Sequence, residues 1–153
     1  MSFFNVLKDK IIAYLSCVST SKTEFVLETE PRSIGKISVG RQMVDGKINL
    51  VGQIIHHNDE IWNLKTDKKS FFKKIHSFDW VDDLAALGSL EARRFAQNWL
   101  SLWMAKYSSG SGPGWAAELT GMRLVRWAHH YLFLTQGLSE ENLKKFNLLL
   151  ARQ

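Results

Sequence analysis

Hydrophobic positions near the start of the chain follow a helical period. Apolar side chains recur at positions 4, 7, 11, 12, 15 and 18, while Lys8, Asp9 and Lys10 lie on the opposite side. This spacing predicts one amphipathic helix over residues 3–18, because residues three and four apart share a helix face. Only two lysines lie on its polar face, which is few for a helix that binds a membrane surface. We therefore expect this helix to pack against the rest of the domain. Residues 19–23 form a polar linker.

Between residues 24 and 57 the pattern changes to short β-branched runs, at residues 25–27 and 47–51. Asp45-Gly46 and Gly52 interrupt these runs as turn residues do, so the region is predicted as a small β element. Residues 48–50 and 52–55 can pair as a hairpin through a tight turn near Val51-Gly52. Gly40 and Gly46 leave competing registers open.

After Asn63 the pattern predicts helix almost throughout. The predicted helices cover Lys69–His76, Trp80–Leu87, Leu90–Tyr107, residues 116–135 and a last segment from Glu140 onward. Gly88 ends the second helix, and Ser89 and Ser139 have the character of N-caps. The clearest loop is Ser108-Ser-Gly-Ser-Gly-Pro-Gly. Short loops between such helices predict antiparallel neighbours.

This pattern divides the chain into two predicted parts. Residues 1–66 contain the N-terminal helix and the small β element, and residues 67–153 contain the antiparallel helices. The apolar helical pattern continues to Gln153 without a Gly, a Pro or a polar tail. We therefore expect the chain to be an N-terminal fragment of a longer protein.

Composition narrows the class of protein. The 153 residues are 45% hydrophobic and 23% charged, which predicts a globular domain with a real core. No apolar run approaches the roughly 20 residues that cross a bilayer, so no membrane span is predicted. The N-terminus makes a poor signal peptide, which favours the cytoplasm and leaves the periplasm as the alternative. The single Cys17 excludes an internal disulfide.

A formal net charge of +5 favours an anionic partner. Nucleic acid, anionic lipid and acidic polysaccharide all fit that charge. The basic residues are dispersed and no nucleic-acid-binding motif is present, which makes nucleic acid the weaker candidate. No cofactor is predicted.

One helix face combines cationic and aromatic side chains. At 100° per residue, Arg123, Arg126, Trp127 and His130 share a narrow arc, which we call the Arg123 stripe. Arginine forks suit carboxylates and an indole face suits a pyranose ring, so the stripe is a candidate substrate-binding surface for an acidic sugar. The structural alternative is a set of salt bridges to Glu118 or Glu91.

The other candidate residues favour structural roles. Trp99 and Trp103 lie four residues apart, as a core pair does, and Trp80 is interpreted in the same way. The aspartates at positions 79, 82 and 83 are predicted to form the solvated face of an amphipathic helix. The pairs His56-His57 and His129-His130 lack the spacing of a metal site, so no metal is predicted.

Three motifs together resemble a known family. They are Phe78-Asp-Trp-Val-Asp-Asp-Leu-Ala-Ala-Leu-Gly, Gln97-Asn-Trp-Leu, and Gly112-Pro-Gly-Trp followed by Glu118-Leu-Thr-Gly-Met-Arg-Leu-Val-Arg-Trp. Over roughly residue 40 to the end, the chain resembles the N-terminal region of heparinase II/III-like proteins of the alphaproteobacterial type. Arg126 stands where many relatives carry Asn.

This resemblance implies a mainly α fold that forms part of an incomplete α/α toroid, preceded by the N-terminal helix and the β-hairpin. It also implies a polysaccharide lyase that acts on uronic-acid polysaccharides by β-elimination. The family's catalytic residues correspond to sequence beyond residue 153, so this fragment is expected to be inactive. Its expected partners are acidic polysaccharide and the C-terminal remainder of the same polypeptide. The alternative is a non-enzymatic module that binds nucleic acid or acidic polysaccharide.

Overall fold

The structure, a computed structural model, describes residues 34–55, 61–64 and 68–153, together with the single residue Ile11. Those residues form seven α-helices, two 3-10 turns and one two-stranded antiparallel sheet. The predicted mainly helical class is therefore confirmed, and the toroidal arrangement stays a prediction. None of the described helices combines the length and the apolar character that a membrane span needs. Apart from Ile11, the predictions for residues 3–27 lie outside the described residues.

The bounds of the elements are as follows. In chain order they are α1 (Ile37–Val44), β1 (Ile48–Leu50), β2 (Gln53–Ile55), α2 (Lys69–His76), α3 (Trp80–Leu87), α4 (Leu90–Tyr107), α5 (Ala117–His129), α6 (Tyr131–Thr135) and α7 (Glu140–Arg152). The 3-10 turns are Ile61–Asn63 and Pro113–Trp115.

Helix α1 corrects the prediction of a purely β region between residues 24 and 57. Its sequence contains β-branched residues and Gly40, which by themselves favour other structures. A Cβ atom at Gly40 would lie 2.3 Å from the carbonyl oxygen of Asp83, so the glycine is what allows α1 to approach α3. The backbone N–H of Lys36 also donates to Asp83 Oδ1 at 2.7 Å. These long-range contacts outweigh the local preference.

The predicted hairpin is confirmed. Strand β1 pairs antiparallel with β2, with Ile48 opposite Ile55 and Leu50 opposite Gln53. The turn residues Val51 and Gly52 both have positive φ, at 54° and 72°, as a tight two-residue hairpin turn requires. Because Ile48, Leu50 and Ile55 are buried, one face of the hairpin belongs to the core.

Helices α2, α3 and α4 begin and end where the sequence predicts. Gly88 ends α3 in a left-handed conformation with φ of 65°. The Ser89 hydroxyl accepts the N–H of Ala92 at 3.2 Å and caps α4. The Ser139 hydroxyl caps α7 in the same way, at 3.3 Å from Asn142 N.

The predicted single helix over residues 116–135 is instead two helices. Its break lies at His130, whose φ and ψ are −109° and 25°. The His130 side chain reaches Asp82 on α3, with 2.8 Å between Nε2 and Oδ1. The break therefore coincides with a long-range contact that helical periodicity does not show.

One buried cluster joins the hairpin to the helices. It contains Ile48 and Ile55 from the strands together with aromatic residues of α3, α4 and α5. All six tryptophans are buried. The Trp62 indole donates to the carbonyl of Trp99 at 3.0 Å and so ties the first 3-10 turn to α4. The predicted domain boundary after residue 66 stays a prediction.

Candidate functional site

Helix α5 carries the Arg123 stripe, and the structure places most of that stripe in the core. Arg123 and Trp127 are 0% exposed, and His130 is 7% exposed. Arg126 has 19% of its side chain exposed. This burial favours a structural role for the stripe over an open sugar-binding wall, and substrate binding by these four residues stays a prediction.

Arg123 connects three separate parts of the chain. Its Nη1 donates to the carbonyl oxygens of His76 at 3.1 Å and Gly114 at 2.7 Å. Nε donates to Gln153 Oε1 at 2.9 Å, and Nη2 also donates to that oxygen. Nη2 further donates to Thr120 Oγ1 at 3.3 Å. The guanidinium thus joins the end of α2, the second 3-10 turn and the end of α7.

Three indoles surround this guanidinium. Its central carbon lies 4.4 Å from the Trp103 ring centre, 5.5 Å from that of Trp127 and 5.7 Å from that of Trp115. Contacts of this kind attract a cation to the ring face, and the attraction grows when water is excluded. We call Arg123, these three indoles and His76 the Arg123 box. Among the described residues, Arg123 forms no ion pair with a carboxylate.

Burial lowers the pKa values of Arg123 and His76 in the Arg123 box. It lowers the pKa of Arg123 to about 9, so the side chain is still a cation at neutral pH. Burial also lowers the pKa of His76 to about 4, and the nearby charges of Arg123 and Lys106 lower it further. His76 is therefore neutral at pH 7, and its Nδ1 accepts the indole N–H of Trp103 at 3.2 Å.

A second cluster contains the other basic residues of the stripe, Arg126 and His130, and we call it the Arg126 cluster. Arg126 Nη2 pairs with Asp79 Oδ1, and Arg126 Nε lies 3.5 Å from Asp82 Oδ2. His130 Nε2 lies 2.8 Å from Asp82 Oδ1, and Lys74 Nζ lies 3.7 Å from Asp79 Oδ2. The cluster thus pairs Arg126 of α5 and Lys74 of α2 with two aspartates at the start of α3.

This cluster corrects two predictions. The stripe does pair with carboxylates, but they are Asp79 and Asp82; Glu118 pairs with Lys73 at 2.5 Å. Asp82 is also not on a solvated face, since it is only 7% exposed. The helical pattern of α3 placed the aspartates opposite its apolar residues, which predicted contact with solvent. Arg126 of α5 lies on that side instead and pairs with Asp79 and Asp82.

The other residues singled out from the sequence are the tryptophans, the histidine pairs and Cys17. The predicted core positions of Trp80, Trp99 and Trp103 are confirmed. Residues 34–55, 61–64 and 68–153 contain no group of three or more His, Cys, Asp or Glu placed to hold a metal ion. His56-His57 and Cys17 lie outside the described residues.

Sequence reasoning missed two residues that lie next to the Arg123 box, Gly114 and Phe78. Gly114 must be small because a Cβ there would lie 2.5 Å from His76 Nδ1. Phe78 has a positive φ of 61° and is fully buried, with its ring centre 5.2 Å from that of Trp127. The Pro-Gly-Trp loop motif was the only sequence signal that indicated Gly114. No local pattern indicated Phe78.

A groove lies on another side of the molecule, between the C-terminal half of α4 and α7. Its volume is about 400 Å³, and Met104, Ala105, Leu148 and Leu149 form an apolar part of its lining. Lys145 and Arg152 add two cations. Arg152 Nε is buried and has no hydrogen-bond partner among the described residues. The groove can therefore take an anionic group beside an apolar one.

Searches of protein-family models, of curated proteins and of solved structures find no match for this chain. The features of this chain that bear on its function are therefore the sequence motifs, the Arg123 box, the Arg126 cluster and the groove.

Proposed function

We propose that this chain is the N-terminal helical portion of a heparinase II/III-like polysaccharide lyase that acts on uronic-acid polysaccharides, and that it is inactive by itself. Its helices would form part of an incomplete α/α toroid. The C-terminal remainder of the same polypeptide would supply the catalytic residues.

The observation that carries this proposal is the convergence of the three motifs behind the resemblance. Ring centres of Trp80 and Trp99, from the first and second motifs, lie 5.0 Å apart. Arg123 of the third motif stacks on Trp115 of its own motif and on Trp103 of the second motif's helix. Phe78 of the first motif contacts Trp127 of the third. Motifs that meet in one core behave as the framework of one fold, which supports a shared fold over three chance similarities.

The chemistry of such a lyase explains why the framework alone is inactive. β-Elimination needs a group that neutralises the uronate carboxylate and a base that removes the C5 proton. The electrons of that C–H bond form the C4–C5 double bond as the bond from C4 to the glycosidic oxygen breaks, and the oxygen takes a proton. Arg123 and Trp127 are buried, so neither offers an open surface to a sugar. The proposed role of this chain is to form the helical framework that supports the active site.

The test compares this chain with the polypeptide of its complete reading frame. Both are incubated with heparin, heparan sulfate and other uronate polymers, and the ultraviolet absorbance of 4,5-unsaturated uronate is followed. We expect product from the complete polypeptide and none from this chain. Product from this chain alone, or no cleavage of any uronate polymer by the complete polypeptide, would contradict the proposal.

The groove favours a second candidate function, a non-enzymatic anion-binding module. Arg152 Nε, which has no hydrogen-bond partner within the part of the chain that the structure describes, and the neighbouring Lys145 would bind sulfate or carboxylate groups of an acidic polysaccharide. Arg152→Gln should then weaken retention of this chain on immobilised heparin. Lys144→Gln is the matched control, because it removes the same charge from α7 outside the groove lining. Equal retention of the two variants would reject this candidate.

A further inference from the structure

The groove between α4 and α7 combines apolar and cationic side chains. We propose that it is a binding site for an amphipathic monocarboxylate, that is, an acid with an aliphatic body. The proposal goes beyond the lyase function and does not use the Arg123 box, so failure of the lyase test would leave it standing.

The apolar part of the groove comes from both helices. Its lining includes the neighbours Met104 and Ala105 on α4 and the neighbours Leu148 and Leu149 on α7. Leu149 is 3% exposed and belongs to the core, whereas Met104 and Leu148 are partly exposed. The groove therefore offers aliphatic surface to a ligand from two sides.

A cation lies on either side of the leucine pair. Lys145 precedes Leu148 by three positions and Arg152 follows Leu149 by three, so all four residues share one face of α7. Lys145 and Arg152 are about 10 Å apart along the helix axis. An anionic group at one end would thus leave the body of the ligand against the leucines.

Arg152 is the cation with the unmet need for an acceptor. Its Nε is buried and has no hydrogen-bond partner among the residues that the structure describes. A buried donor without an acceptor is costly, and an ionised acceptor would remove that cost. The anionic group of the ligand is therefore assigned to Arg152.

Lys145 has a different environment. Its Nζ lies 2.6 Å from Glu141 Oε1, and 57% of its side chain is exposed. The charge of Lys145 is thus already paired in solvent, and its methylene stem can extend the apolar surface. With one cation left to compensate, the groove fits a ligand that carries a single negative charge.

The lining also indicates the body of the ligand. None of the described residues that line the groove is acidic or aromatic. The hydroxyls of a sugar would lie against apolar side chains that cannot replace their bonds to water, and the ring would find no aromatic face. An alkyl chain loses no hydrogen bonds there and gains by leaving water. The volume of about 400 Å³ suits one small ligand.

Isothermal titration of this chain with three small molecules tests both parts of the site. Sodium octanoate has the charge and the alkyl body, sodium acetate has the charge alone, and 1-octanol has the body alone. We expect octanoate to bind at least about tenfold more tightly than either of the others. A tenfold difference is about 1.4 kcal/mol, which burial of two CH₂ groups or one charge-assisted hydrogen bond supplies.

Two pairs of variants place the binding in the groove. Arg152→Gln should weaken octanoate binding about tenfold, whereas Lys144→Gln removes the same charge from α7 outside the lining and should not change it. Ala105→Trp should block the groove and abolish octanoate binding. Asn98→Trp, on the same helix outside the lining, should bind octanoate as the parent does. Because Ala105 and Asn98 are exposed, neither tryptophan should lower the melting temperature.

Competition with heparin separates this site from the polysaccharide site of the second candidate function. We expect heparin not to displace octanoate. Displacement by heparin would assign the groove to the polysaccharide and overturn the proposal. The proposal would also be overturned by the absence of octanoate binding, by acetate or 1-octanol binding as tightly as octanoate, by equal octanoate affinities of Arg152→Gln and Lys144→Gln, or by octanoate binding that persists in Ala105→Trp.

Discussion

Arg123 and Arg126 lie one turn apart on the same helix, yet their charges are accommodated in different ways. Arg123 is surrounded by indole faces and by neutral oxygen acceptors from distant parts of the chain. Arg126 contacts two carboxylates, of Asp79 and Asp82, and retains some exposure to solvent. Two residues of one type on one helical stripe therefore have different physical roles.

The two arginines differ in how many elements each one connects. The Arg123 box connects α2, the second 3-10 turn and α7, so its loss disconnects several elements at once. The Arg126 cluster connects α5 to α3 through charge, and partial exposure allows water to compensate part of a lost partner. We therefore expect substitutions in the Arg123 box to have the larger effects.

Loss of the Arg123 side chain should have the largest effect. Arg123→Ala leaves the carbonyls of His76 and Gly114 without their donor and opens a cavity among three indoles. We expect a loss of about 3 to 5 kcal/mol in the free energy of unfolding. Urea denaturation followed by tryptophan fluorescence measures it. A loss no larger than that caused by a surface substitution would remove the distinction between the two arginines.

Acidification should weaken the Arg123 box through His76. The unfolded pKa is near 6.5 and the folded pKa is about 4, so the unfolded state binds more protons between these values. Stability is therefore fully present above pH 6.5 and is lost as the pH falls toward 4, by about 3 kcal/mol in total.

The measurement is the pH dependence of the unfolding free energy of the parent chain and of His76→Gln. The variant keeps a side-chain acceptor for Trp103 and lacks the titrating group, so its stability should fall less steeply over this pH range. Parallel slopes for the parent and His76→Gln would show that His76 is not the source of the pH dependence.

Neutralising the Arg126 cluster should have an intermediate effect. Asp82→Asn keeps the shape of the side chain and removes the charge that faces Arg126 and His130. We expect a loss of about 2 kcal/mol, below that of a fully buried pair because Arg126 is partly exposed. Chemical denaturation checks this value. Asp83→Asn is the matched control, since Asp83 contacts a backbone N–H at an exposed position, and a larger effect for it would show that the assignment of roles on α3 is wrong.

The smallest effect is expected for Val125, which lies between Arg123 and Arg126 in the sequence. Val125 is 51% exposed, so Val125→Ala should change the free energy of unfolding by no more than about 0.5 kcal/mol. Thermal melting of this variant beside Arg123→Ala measures the contrast across two residues of one helix. A loss comparable with that of Arg123→Ala would mean that this face of α5 is buried.

Local sequence predicted those parts of the fold whose determinants lie within a few residues. Gly88, Ser89 and Ser139 each end or begin a helix through a contact inside the same turn. The Val51-Gly52 turn was predictable for the same reason. The existence of α1 was not, because it depends on a close approach to α3 that Gly40 permits.

The candidate site was predicted in part. Helical geometry grouped the four stripe residues on one arc, but it could not show what faces them or that the helix ends before His130. Arg126 and His130 pair with aspartates more than forty positions earlier in the chain, and His130 interrupts the helix that periodicity continued. A charged residue on a helical stripe thus indicates a shared direction, and only the tertiary fold decides between ligand and structural partner.

The NMR signal of the Arg123 side-chain Nε–H shows whether this residue belongs to the core. Loss of the corresponding signal in Arg123→Lys assigns it, and the exposed Arg94 serves as the reference. If Arg123 is buried among three indoles, this proton should exchange slowly with solvent and its chemical shift should be displaced by the ring currents of those indoles. A signal that exchanges as fast as that of Arg94 and lacks such a displacement would contradict this burial.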